Sequence, residues 1–555
     1  MMKFKIFLCL FFCLTSAIRA QQLSFAGKIG GSQFENAMGI AADSTGHVIV
    51  CGYFSGMIDA DPGATAHMLN SNGGNDIFLA RFDSAGNYIN AINIGGQGEE
   101  FTYADPVIDN SGNIYICGVF ENQTEFNPLG ASFMLINQGM ADGFIACYDS
   151  TLNLLWARAM GGTGVDEIYR IDLKNNVILF AGSFSGQAWL DNGINTTPLT
   201  GSGMTDGVFG KFDINGSLLW VKTINSFNNI HLYQITANHN GQTYITGTFN
   251  DTLVFNAPQQ DTLFADGFAS FIAAFNSSGN YLWAFKIENA FPFGLYLDHQ
   301  ENILTCGQFS GIVDFDPDND TLALIAQGTF DGYFAKYNSN GNMIFANRIG
   351  GGGLDVAYAI KELQDYSILL TGFYFNTADF DPDITVASLN SNGFADLFVA
   401  TYDSMGAYRS VFGCGGPGFD FVRNVAVTNN NAILIAGGFE QTVDFNPSPS
   451  INALSSSGSR DGFFAKYFMP VATTFSHNDL SLIAVYPNPF SNYFTVNASN
   501  QDINITLTDI MGKVILSDQI YHNTKHYFTN DLKPGVYLIS LNSKNKSFNC
   551  KIIKQ

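Results

Sequence analysis

The stretch QQLSFAGKIGG, residues 21–31, reads as the last part of a repeat whose earlier parts are missing. Beyond it one phrase recurs: Gly-Gly, an acid, an extended run, x-Gly-x-Phe, Asp-Gly-Phe, then Asp-Ser-x-Gly-Asn. Aligned on the residue before Gly-Gly, the repeats start at Ile29, Ile94, Met160, Ile224, Ile287, Ile349 and Cys414, 62–66 residues apart. Seven such units fill the chain to about residue 470. The seventh passes through SRDGFFAKYF and stops at Met469-Pro470 without its fourth extended run. The opening stretch supplies one, since Phe25 aligns with Trp156, Trp220, Trp283 and Phe345, and Leu23 with Leu154.

Each unit holds four short extended runs. In repeat 1 they are NAMGIAAD (36–43), HVIVCGYF (47–54), DIFLARFD (76–83) and NYINAINI (87–94). Asp-Ser-Thr-Gly and Asp-Ser-Ala-Gly join the outer pairs as hairpin turns, and no stretch sustains helical periodicity. The pattern predicts an all-β chain: a seven-bladed β-propeller of four-stranded blades, closed by the N-terminal strand. A β-solenoid is the alternative, but its coils are much shorter than ~60 residues. An open stack also has no use for a repeat split between its two ends.

The repeats resemble the β-propeller repeats of secreted bacterial proteins, through GGQGEEF, GGTGVDE, GNIYICG and GQTYITG. That resemblance covers residues 23–468 and implies a fold, not an activity. Ahead of them, MMKFK, IFLCLFFCL and TSAIRA form the charged, apolar and small-residue parts of a signal peptide over residues 1–20. No later segment has ~18 uninterrupted apolar residues, so no transmembrane span is expected after signal removal. Residues 21–481 carry 15 basic and 44 acidic side chains, a formal charge of −29. A field of that sign excludes nucleic acid as a partner. Residues 482–555 carry seven basic and four acidic side chains, or +3, and belong to another domain, after a linker at 471–481.

Several positions invite a functional reading. Phe54, Phe120, Phe184, Phe249, Phe309, Tyr374 and Phe439 recur in every repeat and read as core. Cys51, Cys117 and Cys306 share a slot that elsewhere takes Ala or Thr, so a small buried side chain is wanted there rather than a disulfide. The arm motif DADP, EFNP, DFDP or DFNP offers a weak calcium set in Asp314, Asp316, Asp318 and Asp320. Asp before Pro is equally ordinary turn chemistry, and no other cofactor is expected. Six residues past each repeat start stand Glu35, Glu100, Asp166, Asp355 and Asp420, which would form an acidic rim at a channel mouth or cap Gly-rich loops. By the same spacing repeats 4 and 5 carry Ile230 and Phe293 there, and both lack Gly-Gly. Phe227, His231, Phe291 and Phe293 thus break the pattern in one sector and form a candidate ligand patch, with loop drift as the plain alternative. No HExxH, Gly-x-Ser-x-Gly or HxH context marks a catalytic centre.

The tail alternates apolar and polar residues and predicts a small β-sandwich. YPNPF (486–490), DIMGKVI (509–515), LKPGVYLISL (532–541) and the terminal KIIKQ closely resemble the type A C-terminal sorting domain of the type IX secretion system. The resemblance implies that the secretion machinery is a partner through residues 482–555, with the protein secreted or held at the outer cell surface. Three readings of the mature part stay open. It is a binding or adhesion module for an unknown glycan or protein, a glycan-degrading enzyme with a site at the channel mouth, or a structural surface protein.

Overall fold

The computed structural model describes residues 22–468 apart from 256–260, 318–321 and 384. In the tail it describes 483–486, 493–498, 502–509, 513–520, 524–528, 532–533, 535–543 and 546–554. The expected signal peptide and linker lie outside the described residues. The chain divides into two compact units, Met1–Pro470 and Val471–Gln555. Among the described residues every regular element is a β-strand, and every ladder between strands is antiparallel.

Within each repeat the four strands pair in chain order. Repeat 1 runs Glu35–Ala42, Val48–Asp59, Met68–Phe82 and Tyr88–Gly96. Repeat 7 has Phe421–Val427, Ala432–Phe439 and Asp461–Phe468 in sequence order, besides the short arm strands Thr442–Asp444 and Ala453–Ser455. Its fourth strand is Gln22–Gly31, which pairs with Asp461–Phe468 in a register running from Gln22 opposite Phe468 to Ile29 opposite Gly462. The first strands lie side by side around a cycle, and Phe421–Val427 of repeat 7 returns to Glu35–Ala42 of repeat 1.

Packing obeys strand alternation. In DGFFAKYF, Phe463, Ala465 and Tyr467 face a core shared with Leu397, Val399 and Phe412 of repeat 6. Phe464 faces the other way, where with Leu434 and Ala436 it joins Ile29, Ile40, Val48, Phe54 and Phe78. Each third strand is thus sandwiched, and the aromatic after x-Gly-x is buried in every repeat. Each such side chain contributes about 1.5–3 kcal/mol by leaving water. Cys51, Cys117 and Cys306 are buried free thiols.

The Gly-Gly signature has a steric cause. A Cβ on Gly161 would lie 2.0 Å from the Asp142 carboxyl carbon, and one on Gly162 2.2 Å from the Gln187 carbonyl oxygen. The first glycine therefore makes room for an acid of the preceding third strand, and the second lets the next arm cross. In the hairpins Asp43, Asp83, Asp109 and Asp149 each take two backbone N–H groups on one carboxylate oxygen, which fixes the turns.

In the second unit, Ile483–Tyr486, Tyr493–Ala498 and Thr524–Phe528 form one sheet. Ile503–Asp509, Val514–Ile520, Gly535–Ser543 and Lys546–Lys554 form another. Phe494, Val496 and Tyr527 of the first share a buried cluster with Ile503, Ile505, Leu507, Ile539 and Leu541 of the second.

Candidate functional site

Six of the first strands carry a β-bulge at the same step, which leaves one residue outside the ladder and re-aims its side chain. The residues so displaced are Met38, Tyr169, Tyr233, Phe293, Tyr358 and Arg423. In repeat 2 the strand breaks between Phe101 and Val107, and Tyr103 stands at this step. These side chains meet across repeat boundaries as a belt. Ring centroids are 5.3 Å apart for Tyr103–Tyr169, 6.1 Å for Tyr169–Tyr233 and for Tyr233–Phe293, and 5.2 Å for Phe293–Tyr358. The Arg423 guanidinium continues the belt 4.5 Å from the Tyr358 ring centre. All five rings are half-buried, so part of each stays open to solvent.

Charge is concentrated beside the belt. Arg170 is almost fully buried and donates from Nε to the Tyr233 carbonyl at 3.3 Å. Asp105 accepts the Ile40 N–H at 3.2 Å. Burial pushes the Asp105 carboxyl up, against the pull of Lys361, Arg170 and Arg423. Burial also lowers Arg170, opposed by Asp105 and reinforced by the like charge of Arg423. The Tyr103 hydroxyl is pushed up to about 12, mainly by burial and then by Glu167, so it stays neutral.

Three of the four residues of the sequence-derived patch reach this belt. Phe293 is a member. Phe291 stacks on it at 6.2 Å and on Phe268 at 4.3 Å. His231 stands edge-on to Tyr169 at 6.5 Å, its imidazole pKa lowered by burial. Phe227 stays apart, 69% exposed in the preceding loop. One alignment is corrected. Ala290, not Phe293, lies opposite Phe309 as Glu35 lies opposite Phe54 and Ile230 opposite Phe249, because the loop of repeat 5 is three residues shorter.

The acidic rim takes a different form from the one the spacing suggested. Glu35, Glu100, Asp166, Asp355 and Asp420 are all buried, because the Gly-rich loops fold over them. Glu35, Glu100, Asp355 and Asp420 accept the N–H of Gly31, Gly96, Gly351 and Gly416 at 2.7–3.1 Å, and Asp166 that of Ser185 at 3.0 Å. Each is paired with an acid of the preceding repeat's third strand: Asp461, Asp76, Asp142, Asp331 and Asp396 respectively. Burial is the main cause that raises Glu35, Glu100, Asp355 and Asp420 to about 7 and Asp166 to about 6.

Of the weak calcium set, Asp318 and Asp320 lie outside the described residues. Asp314 accepts the N–H groups of Asp316 and Leu322 at 3.1 and 3.0 Å. Asp59, Glu125, Asp379 and Asp444 make the same turn in their arms. A groove of about 590 Å³ runs beside Asp314 and Asp316 along Lys286 and Glu288. Among the described residues Asp298, His299 and Glu362 converge with metal-like spacing. The Asp298 carboxylate there already holds Lys336 at 2.7 Å and Asn302 at 3.0 Å.

The belt has one signal in the sequence that repeat spacing could have found: Tyr103, Tyr169, Tyr233 and Tyr358 each stand three residues past the acid position. Arg423 stands at the same spacing past Asp420 but breaks the aromatic pattern, and Arg170 and Asp105 have no such signal, since each occurs once.

Residues 484–555 match the family model of the secretion system C-terminal sorting domain. The protein is secreted or held at the outer cell surface, and this domain addresses it to the secretion machinery. An uncharacterized WD repeat-containing protein of Acanthamoeba polyphaga mimivirus is 22% identical over 535 residues, covering 80% of this chain; the match spans 38% of that protein's length. Among solved structures, PorZ, a surface component of the type IX secretion system of Porphyromonas gingivalis, is 9% identical, with a TM-score of 0.19 over 96% of this chain and all of its own. A glycoside hydrolase of family 32 from Bifidobacterium adolescentis is 10% identical, with a TM-score of 0.23 over 96% of this chain and 95% of its own. Scores this low carry no weight for the site. No helix among the described residues is long and apolar enough to cross a membrane.

Proposed function

We propose that the mature chain is an exported binding or adhesion module, a seven-bladed β-propeller whose aromatic belt takes a glycan or protein ligand. The organisation is a signal peptide at 1–20, the propeller at 21–470, a linker at 471–481 and a sorting domain of β-sandwich form at 482–555. Support for the blade count comes from the seven strand groups, the cyclic order of their first strands and the shared core of repeats 7 and 1. Support for binding rests on one observation, the half-exposed run of rings from Tyr103 to Tyr358 ending on Arg423. Aromatic surface with a few convergent polar groups is the usual lining of a ligand site.

The test is binding of the mature chain to glycan and peptide arrays, beside the double variant Phe293→Ser, Tyr358→Ser. Loss of array binding with an unchanged melting temperature is the expected result. Binding that survives in the folded double variant refutes the belt as the site. Release of reducing sugar from a bound glycan would instead favour the degrading enzyme.

A further inference from the structure

We infer that the belt is selective for a glycan carrying an acidic sugar residue, whose carboxylate is taken by Arg423. This rests on the belt being the ligand site. The first observation is charge placement. In a region of −29, Arg170 and Arg423 stand within each other's field at the belt and share Asp105 as a counter-charge. Lys361 also acts on Asp105, and its Nζ lies 5.3 Å from the ring centre of Tyr296, whose hydroxyl stands in the field of Glu362, Asp172 and Asp298. Two guanidinium groups thus share one counter-carboxylate, and Arg423 is the less buried of the two.

The second observation is the state of that guanidinium. Arg423 Nε is buried and donates to no atom of the described residues. A buried donor without an acceptor is costly, and a carboxylate that reaches the half-exposed guanidinium would form paired, charge-assisted N–H···O bonds with it. The ring of Tyr358 supports one face of the guanidinium and holds its plane. Arg460, whose Nε is likewise buried without an acceptor, differs in that its Nη2 is tied to Glu440 at 2.6 Å, beside Phe34, Phe419 and Phe421.

The third observation selects a sugar. Tyr358, Phe293, Tyr233, Tyr169 and Tyr103 continue from Arg423 as a row of rings set tilted or edge-to-face, with Tyr169 and Tyr103 stacked and tyrosyl hydroxyls among them. Pyranose rings offer apolar C–H faces and hydroxyl edges to such a run, and a uronic acid adds the carboxylate at one end. The overall negative field disfavours a densely charged polyanion, so the fitting ligand is a mostly neutral glycan with an isolated acidic unit.

Titration calorimetry on the mature chain tests this, with a uronate-terminated oligosaccharide and its carboxyl-reduced counterpart as probes. The uronate form should bind about tenfold or more tightly than the reduced form. Arg423→Gln should erase that difference, the uronate form falling to the affinity of the reduced form. Arg423→Lys, which keeps charge and fold but loses the planar fork, should retain only part of it. Equal affinity for the two probes in the wild type overturns the inference, as does a folded Arg423→Lys chain with undiminished preference. If Phe293→Ser, Tyr358→Ser abolishes binding while both probes bind the wild type alike, the belt stands and only the acidic class fails. If neither set of variants matters, the belt reading falls as well, and a peptide that binds in their place marks another surface.

Discussion

The buried acid pairs make stability depend on pH in a direction opposite to that of most proteins. Take the junction of repeats 2 and 3, where Asp142 and Asp166 are fully buried and Asp142 is raised to about 7 from 3.8, by burial first. Asp142 Oδ1 and Asp166 Oδ2 are buried with no donor to stabilise a charge, so ionising both is disfavoured and the pair is expected to hold one proton between them. The folded chain keeps that proton up to about pH 7, whereas the unfolded chain releases it near pH 4. Between those values the folded state binds more protons, so stability falls as pH rises through the window. Three pH units correspond to about 4 kcal/mol for this group at full effect. Five such junctions at full effect would exceed the roughly 5–15 kcal/mol that holds a protein folded, so each must relax in part as it ionises. At the acid end Asp43, Asp83, Asp109 and Asp149 are held below their usual range, chiefly by local hydrogen bonds that outweigh any burial, and their contribution disappears below about pH 4. The stability maximum should therefore lie near pH 4–5, with a melting temperature roughly 5–15 °C lower at pH 8. Calorimetry from pH 3 to pH 8 reads this directly. Asp142→Asn, which supplies a neutral donor to Asp166, should flatten the slope between pH 5 and 8. A melting temperature that is level or rising over that range refutes the shared-proton account, and so does an Asp142→Asn profile parallel to the wild type.

Deleting residues 21–31 removes the partner strand of Asp461–Phe468 and the buried Ile29, leaving an open sheet edge. Thermal melting should show a fall of roughly 10 °C or more with aggregation on size exclusion, reversed in part by the added 21–31 peptide. Gly161→Ala places a methyl against the Asp142 carboxyl and should cost about 2–3 kcal/mol in urea unfolding, whereas Gly352→Ala, with open space around it, should be near neutral.

The ring closure is legible in the sequence because a split repeat is a discontinuity in a periodic text. Gln22–Gly31 aligns with the other fourth strands by residue type alone, and its pairing partner is implied by what repeat 7 lacks. The Gly-Gly rule is visible too, but its cause is not, since the carboxyl of Asp142 reaches Gly161 from a neighbouring strand. Burial hides the role of Glu35, Glu100, Asp166, Asp355 and Asp420. An acid after glycines looks solvent-facing, and only the fold of the loop reveals that it is covered. The belt is harder still, because a bulge shifts the register by one residue and converts a position that alternation alone would pair into one aimed elsewhere.

The break in repeats 4 and 5 ties the junctions to the belt. Between repeats 3 and 4, Asp206 persists but its partner acid has become Ile230, and Asp206 spends both oxygens on backbone N–H groups of Ser202, Gly203 and Ser226. Between repeats 4 and 5, both acids have become Ala269 and Ala290, and the glycine pair has become Glu288-Asn289. Once no carboxyl has to be roofed, the loop shortens by three residues, and Phe268, Phe291 and Phe330 pack where the roof stood. This exchange is confined to the sector where Tyr233 and Phe293 stand. Simple drift would have lost glycines and acids independently of one another, yet between repeats 4 and 5 both acids and both glycines are lost together. A junction that gives up its acid pair for a stack of rings continuous with the belt trades a fold-holding feature for an apolar mouth. Local rules are broken in this concerted way where a surface is used.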